Sequence, residues 1–238
     1  MSVVLYQFVT EWDLPNLSPF CLKVETWLRL VDVPYEVRPF SPGLTSTGKA
    51  PVVELDGERI SDSSCIVRTL SERLSIGLDA GLTPRQLAHA ALVQRVLEEH
   101  LYWAVLHTRW VDDAGWATYR PILASALPMP RFLALWLASY LRRGVKRSTW
   151  EHGLARHAPD EIHRRGIEDL TAIAEILGDS PFLLGDTPRS VDCGMYAFLA
   201  QAAHPAWDNA LVAHLRADAR LMAYIERMRA RVWDAPAS

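Results

Sequence analysis

Strand-forming sequence stops in this chain near Gly81. Ahead of that point, runs of alternating and helical periodicity are interleaved. Beyond it only helical spacing recurs, which confines the chain to a small α/β unit followed by an all-α unit. Val3 to Val9 is rich in β-branched and aromatic residues and predicts a buried strand. Phe20, Val24, Trp27, Leu28 and Val31 then recur at helical spacing. Ser18 is placed to cap that helix, with Pro19 at its first position. Tyr35 to Phe40, entered through Pro34, predicts a second strand, and Gly43 to Gly48 a loop. Val52 to Leu55 and Arg59 to Ser61 flank Asp56-Gly57, a strong hairpin signal. Asp62 and Ser63 can cap a helix with Ile66, Leu70 and Leu74 on one face. The order is β-α-β, then β-β-α.

After the boundary, Pro84 to about Arg109 reads as one long helix. Further helices are expected over about Arg131 to Arg143, Glu161 to Leu177, Val191 to Ala202 and Leu215 to Arg231. This gives two domains, residues 1–78 and 84–238, in a chain of 238 residues whose 50% hydrophobic content can furnish a core for each.

Charge and cysteine usage exclude several classes. A net charge of −3, with acids and bases mixed along the chain, predicts no nucleic-acid partner. Cys21, Cys65 and Cys193 show no CxxC spacing and suit reduced thiols in a cytoplasm. The start, MSVVLYQFVTEWD, lacks the basic region of a signal peptide. No metal is expected: the histidines show no HExxH spacing, and no cysteine lies near His152 or His157. The apolar run Phe132 to Leu141 is short of the roughly 20 residues of a spanning helix, and Arg142, Arg143, Lys146 and Arg147 follow it. That pairing would suit a membrane surface. The plainer expectation is a core helix with a solvated basic end and no membrane contact.

Five places could carry chemistry. Ser18 stands where strand gives way to helix, so backbone N–H groups and the helix dipole favour an anion there. Its hydroxyl could donate to a bound thiolate and lower that thiol's pKa, or it could be a cap alone. Ser18-Pro19-Phe20-Cys21 has the shape of a redox CxxC whose first cysteine has become serine. Cys21 is then either an inward-packed small apolar group or a lone redox thiol. Pro51 opens the third strand. The Ala50-Pro51 dipeptide by itself favours trans, whereas a cis bond would present Val52 as an open strand edge to an extended peptide. Asp62 could hold a ligand ammonium, with Ser63 and the first helical N–H groups taking a carboxylate; a simple cap is the alternative. Trp103, His107 and Trp110, at one-to-two-turn spacing, would line an apolar substrate pocket or belong to the helical core.

Taken together, the chain resembles the glutathione transferase superfamily. The likeness rests on Ser18-Pro19-Phe20-Cys21, Gly48 to Val53, Ile60-Ser61-Asp62-Ser63, Phe182 to Asp186 and Ser190-Val191-Asp192. More narrowly it is similar to the metaxin-like branch, which includes the failed-axon-connections proteins and their bacterial relatives. That closer match is carried by Ser18 to Glu25, Val33-Pro34-Tyr35, His152 to His157 and Gly185 to Ala200. The resemblance implies a thioredoxin-like domain, a helical domain and a glutathione site. In it Ser18 would activate the thiol, and Val52, beside a cis Pro51, would pair with the cysteinyl backbone. Asp62 and Ser63 would hold the γ-glutamyl end, and Lys49 would lie near the glycyl carboxylate. Phe20 counts among the glutathione-binding residues, and Asp192 would buttress the helical domain. Arg189 replaces the usual Ser or Thr cap three residues before that aspartate, so Ser190 is expected to take over. The implied activity is transfer of glutathione to a hydrophobic electrophile by a homodimer. A non-catalytic binding or assembly protein of the metaxin type is the alternative, and a glutathione-dependent thiol oxidoreductase using Cys21 the third reading.

Overall fold

Val3 and Leu5 alternate with Val4 and Tyr6 along the first strand, and all four are buried. A strand apolar on both faces belongs inside a sheet. The computed structural model, which describes residues 2–8, 14–127 and 129–234, places it there. Strand β1 (Val3–Gln7) lies between β2 (Glu36–Pro39), parallel to it, and β3 (Val52–Leu55), antiparallel to it. Strand β4 (Glu58–Ser61) closes a four-stranded sheet of order β2-β1-β3-β4. The expected end of β1 at Val9 lies outside the described residues. Asp56 and Gly57 both take positive φ, 50° and 90°, as a two-residue hairpin requires.

Helix α1 (Pro19–Leu30) and helix α2 (Ser63–Leu74) cover one face of this sheet. Their apolar sides meet it through Val24, Trp27, Leu28, Ile66 and Leu70, packed with Val3, Leu5, Val53 and Leu55. Both helices begin where the sequence predicts, after Ser18 and Asp62.

The remaining elements are α3 (Pro84–Arg95), α4 (Tyr102–Trp110), α5 (Asp113–Ser125), α6 (Arg131–His152), α7 (Pro159–Leu177), α8 (Ser190–Ala203), α9 (Ala210–Ala217) and α10 (Ala219–Val232). A π-helical segment, Val96–Leu101, joins α3 to α4, so the long expected helix is continuous to Trp110 with a change of pitch inside it. Helix α5 was not anticipated, and α6 runs nine residues past its expected end at Arg143, to His152. The expected helix Leu215 to Arg231 is broken at Asp218, whose carboxylate accepts the N–H groups of Arg220 and Leu221 and starts α10.

The chain forms two compact units, but they do not follow the 78/84 boundary. One contains Met1–Ala91, Ser180–Gln201 and Tyr224–Ser238; the other contains Leu92–Asp179 and Ala202–Ala223. In the first, Asp192 ties the late segments together. Its carboxylate accepts the N–H groups of Leu183 (3.0 Å) and Arg189 (2.8 Å) and the Tyr224 hydroxyl (3.0 Å). Helix α8 starts at Ser190 itself, so the expectation that Ser190 replaces the usual cap is corrected: Arg189 holds the cap position, and its N–H is taken by the Asp192 carboxylate. The Ser190 N–H is taken by the Asp79 carboxylate, and the Arg189 guanidinium binds the carbonyls of Leu78 and Ala80. In the second unit Gly166 allows α7 close to its neighbours: a Cβ there would stand 2.2 Å from Leu211 and 3.3 Å from Ala104.

Candidate functional site

Ser18 has extended backbone angles, φ −99° and ψ 122°, and caps α1 with its hydroxyl oxygen accepting the Cys21 N–H at 3.4 Å. Its own N–H donates to Asn16 Oδ1 at 3.0 Å, which fixes the turn into the helix. The hydroxyl thus sits at the positive end of the α1 dipole, half-buried. Phe20, two residues on, packs edge-on against Phe198 with ring centres 5.3 Å apart.

Cys21 is fully buried, and burial pushes its thiol up to about 12 despite the hydrogen bond from Ser18. A thiolate at neutral pH is therefore absent in practice, and the reading of Cys21 as a redox thiol is corrected: it is an inward-packed core residue.

The Ala50–Pro51 peptide is cis, against the dipeptide's own preference. Val52, however, is no open edge. It is fully buried and in register with Tyr6 of β1 on one side and Ser61 of β4 on the other. The expected docking role of Val52 is corrected for that reason: β3 is an interior strand, so both its flanks are occupied. Ala50 precedes the strand and stands outside these ladders. Lys49 beside it is exposed.

Asp62 turns the chain from β4 into α2 at φ 74°, ψ 123°. An L residue holds such angles at a cost, and strain of this kind gathers at ligand sites. Its carboxylate Oδ1 accepts the N–H groups of Ser64 and Cys65, both at 3.0 Å. Ser63 follows, buried. A third participant is Lys23 of α1, also buried, whose ammonium donates to Ser64 Oγ at 2.8 Å and Ser63 Oγ at 3.4 Å. Sequence reasoning missed Lys23. The one available signal was a cation between Leu22 and Val24, inside a helix whose apolar spacing marks it as core-facing. Lys23 lies five residues beyond Ser18, about 7.5 Å along the helix axis, and so links the opening turns of the two helices. The outcome is a carboxylate, an ammonium, three hydroxyls and two helix N-termini gathered in one unit.

The aromatic set fares differently. Trp103 stacks on His152 with ring centres 4.2 Å apart, and Trp110 packs against Trp116 and Tyr119 at 5.6 and 5.1 Å. His107 is 4% exposed, with Nδ1 3.6 Å from Asp112, and burial lowers its pKa. His107 offers no surface to a ligand, so its pocket-lining role is corrected to a core one. A concavity of about 330 Å³ lies elsewhere in this unit, lined by Pro121, Ala124, Leu127, Met129 and Arg131 among others.

A mixed four-stranded sheet with a cis proline at the mouth of β3, carried in a chain otherwise helical, defines the transferase-type thioredoxin architecture. Comparison with known proteins agrees. The Glutathione S-transferase N-terminal domain family matches residues 19–115, and the Glutathione S-transferase C-terminal domain family matches residues 166–228. The isoprene-epoxide–glutathione S-transferase of Rhodococcus sp. (strain AD45) is 29% identical over 95% of this chain and 98% of its own length. Failed axon connections of Drosophila melanogaster is 36% identical over 84% of this chain, which spans 50% of that protein. Metaxin-1 of Macaca fascicularis is 30% identical over 90% of this chain and 69% of its own length. Among solved structures, the glutathione S-transferase of Ceriporiopsis subvermispora in complex with glutathione shares the fold, with a TM-score of 0.69, 14% identity and 100% of both chains covered. The chain belongs to the glutathione S-transferase family, in its metaxin-like branch.

Proposed function

We propose that the first unit binds glutathione and that the protein transfers it to an apolar electrophile. The observation that carries this reading is the turn into α2, where a strained, exposed Asp62 stands beside Ser63, Ser64 and the buried Lys23 ammonium. The γ-glutamyl end of glutathione is a zwitterion. Asp62 suits its ammonium; Ser63, Lys23 and the helix N-terminus suit its carboxylate. Ser18 donates a hydrogen bond from its hydroxyl to the thiolate at the head of α1, which raises the nucleophile fraction near neutral pH. Ala50, rather than Val52, meets the cysteinyl main chain, and Lys49 the glycyl carboxylate. An epoxide is the first electrophile to try, because the Rhodococcus relative is named for one. The same reading assigns the protein to the cytoplasm, where glutathione is held as the thiol.

Thermal melting with and without glutathione tests the binding step. At a hundredfold excess over Kd, linkage adds about 2.7 kcal/mol, which raises Tm by about 5–10 °C for a chain of this size. No rise in Tm removes glutathione from the account.

A second reading, a binding or assembly protein without turnover, is favoured by the higher identity to Failed axon connections than to the Rhodococcus transferase. The two readings part on epoxide conjugation: a Tm rise with no product supports the second.

A further inference from the structure

Helix α6 turns an uncovered face outward. Ala134, Ala138 and Thr149 are on its buried side. Arg142 is also turned inward, its guanidinium bound to the carbonyls of Trp110 and Val111 at 2.7 and 2.8 Å. The opposite side carries Phe132, Trp136 and Tyr140, which are 71, 66 and 58% exposed. The apolar half of this helix was expected in the core; its three large rings are at the surface instead. At about 100° per residue they form one stripe, and Trp136 and Tyr140 stack within it, ring centres 6.0 Å apart. Arg143, Arg147 and the exposed Trp150 continue the same stripe, and Lys146 flanks it. No Asp or Glu occurs between Arg131 and Trp150. Glu151, paired with Arg147, is the helix's one carboxylate.

Exposed aromatics on this scale mark an interaction surface. The charge decides the occupant. A second copy meeting the first through this face would add three cations to the three already there, Arg143, Lys146 and Arg147, and bring only one further carboxylate, Glu151, in return. An anionic bilayer answers both halves of the stripe. Trp and Tyr rings settle at headgroup depth, Phe132 enters the acyl boundary, and long basic side chains reach back to phosphates. Among the described residues no helix is long and apolar enough to cross a membrane, which leaves contact in the plane of the surface.

We propose that α6 docks the protein on an anionic lipid surface, with Phe132, Trp136 and Tyr140 at the acyl–headgroup boundary and Arg143, Lys146 and Arg147 on the lipid phosphates.

Co-sedimentation of the full chain with vesicles tests this. Mixed phosphatidylcholine–phosphatidylserine vesicles should carry the protein down at low salt, and added salt should release it. Pure phosphatidylcholine should leave most of it in solution. Each basic residue near such a surface is worth about fivefold in partitioning, so Arg143→Glu with Arg147→Glu should weaken binding more than tenfold. Trp136→Ser with Tyr140→Ser should weaken it comparably. These side chains are exposed, so melting temperatures should hold; if either pair of changes unfolds the protein, Arg143→Gln with Arg147→Gln gives the same reading at lower amplitude. The proposal is overturned if wild type stays in solution with anionic vesicles, or if all variants sediment as wild type does. It is overturned too if sedimentation velocity finds a dimer that Trp136→Ser dissociates, because the face then belongs to a second copy.

Discussion

Two aspartates open helices in the same unit, and their surroundings could hardly differ more. Asp192, in the first turn of α8, is fully buried and accepts from three donors: the Arg189 N–H just before the helix, and the Leu183 N–H and Tyr224 hydroxyl from further away in the chain. Asp62, ahead of α2, is exposed, holds two N–H groups of its own helix and carries a strained backbone. Residue type and nearness to a helix start are therefore shared, while the bonding is not. A carboxylate saturated by distant partners is scaffold, since losing it orphans donors that water cannot reach. A carboxylate engaged only locally, at a strained and open turn, retains capacity for a ligand.

The largest effect should come from Asp192. Asp192→Ala leaves the backbone N–H groups of Leu183 and Arg189 unsatisfied, while the Tyr224 hydroxyl keeps the main-chain carbonyl of residue 192 at 3.1 Å, and should lower stability by about 2–5 kcal/mol in urea unfolding. The pH dependence has a defined sign. Burial raises the Asp192 pKa above its ordinary value. The folded chain then keeps this proton at pH values where the unfolded chain, with a pKa of about 3.9, has released it. Asp192 therefore contributes its full stability below that value, and the contribution declines as pH rises through the raised pKa. Asp192→Asn does not titrate, so the stability of wild type relative to it should fall over this interval. A difference that grows with pH would contradict the assignment.

Asp62 should show the reverse balance, with little change in stability and a large change in binding. Asn offers the same acceptor to the N–H groups of Ser64 and Cys65 and tolerates positive φ. Asp62→Asn should stay within about 0.5 kcal/mol of wild type. Removing the charge opposite the ligand ammonium should weaken glutathione binding by about 10–100-fold, the equivalent of a charged hydrogen bond of about 1.5–3 kcal/mol. Calorimetric titration reads the affinity. If Asp62→Asn instead destabilises the fold and leaves the affinity alone, Asp62 is scaffold like Asp192 and the comparison fails.

The same contrast explains what was legible in the sequence. Features set by neighbouring residues could be read directly: the Ser18 cap with Pro19, the Asp56-Gly57 hairpin and the Asp62 turn each follow from local backbone chemistry. Features set by distant partners could not. Val52 reads as a strand edge until β1 and β4 are seen on its two flanks. Lys23 becomes part of the site only because α2 starts beside it. Helix α5 contains Gly115 and Pro121, which interrupt the periodicity that would announce it. The Asp218 cap was hidden inside a continuous apolar pattern. The late segments 180–201 and 224–238 join the first unit through contacts such as Gln201 to the Asn16 carbonyl, a separation no sequence period records.

Ser18 combines a small expected change in stability with the sharpest test of chemistry. Its cap bond is long at 3.4 Å, so Ser18→Ala should cost about 0.5–1 kcal/mol, the low end for a lost cap. Glutathione should still bind, because Asp62, Ser63 and Lys23 hold its other end. What should change is the thiol. A hydrogen bond donated to a thiolate is worth about 1.5–3 kcal/mol, so the pKa of bound glutathione should rise by about one to two pH units at 1.36 kcal/mol each. The ultraviolet absorbance of the thiolate, followed against pH in the complex, measures this. Ser18→Thr keeps the hydroxyl and should restore the lower value. Cys21→Ala should leave it close to wild type, because that thiol is buried and protonated. An unchanged pKa in Ser18→Ala would reduce Ser18 to a helix cap and leave the α1 dipole as the remaining source of thiolate stabilisation at this end of the site.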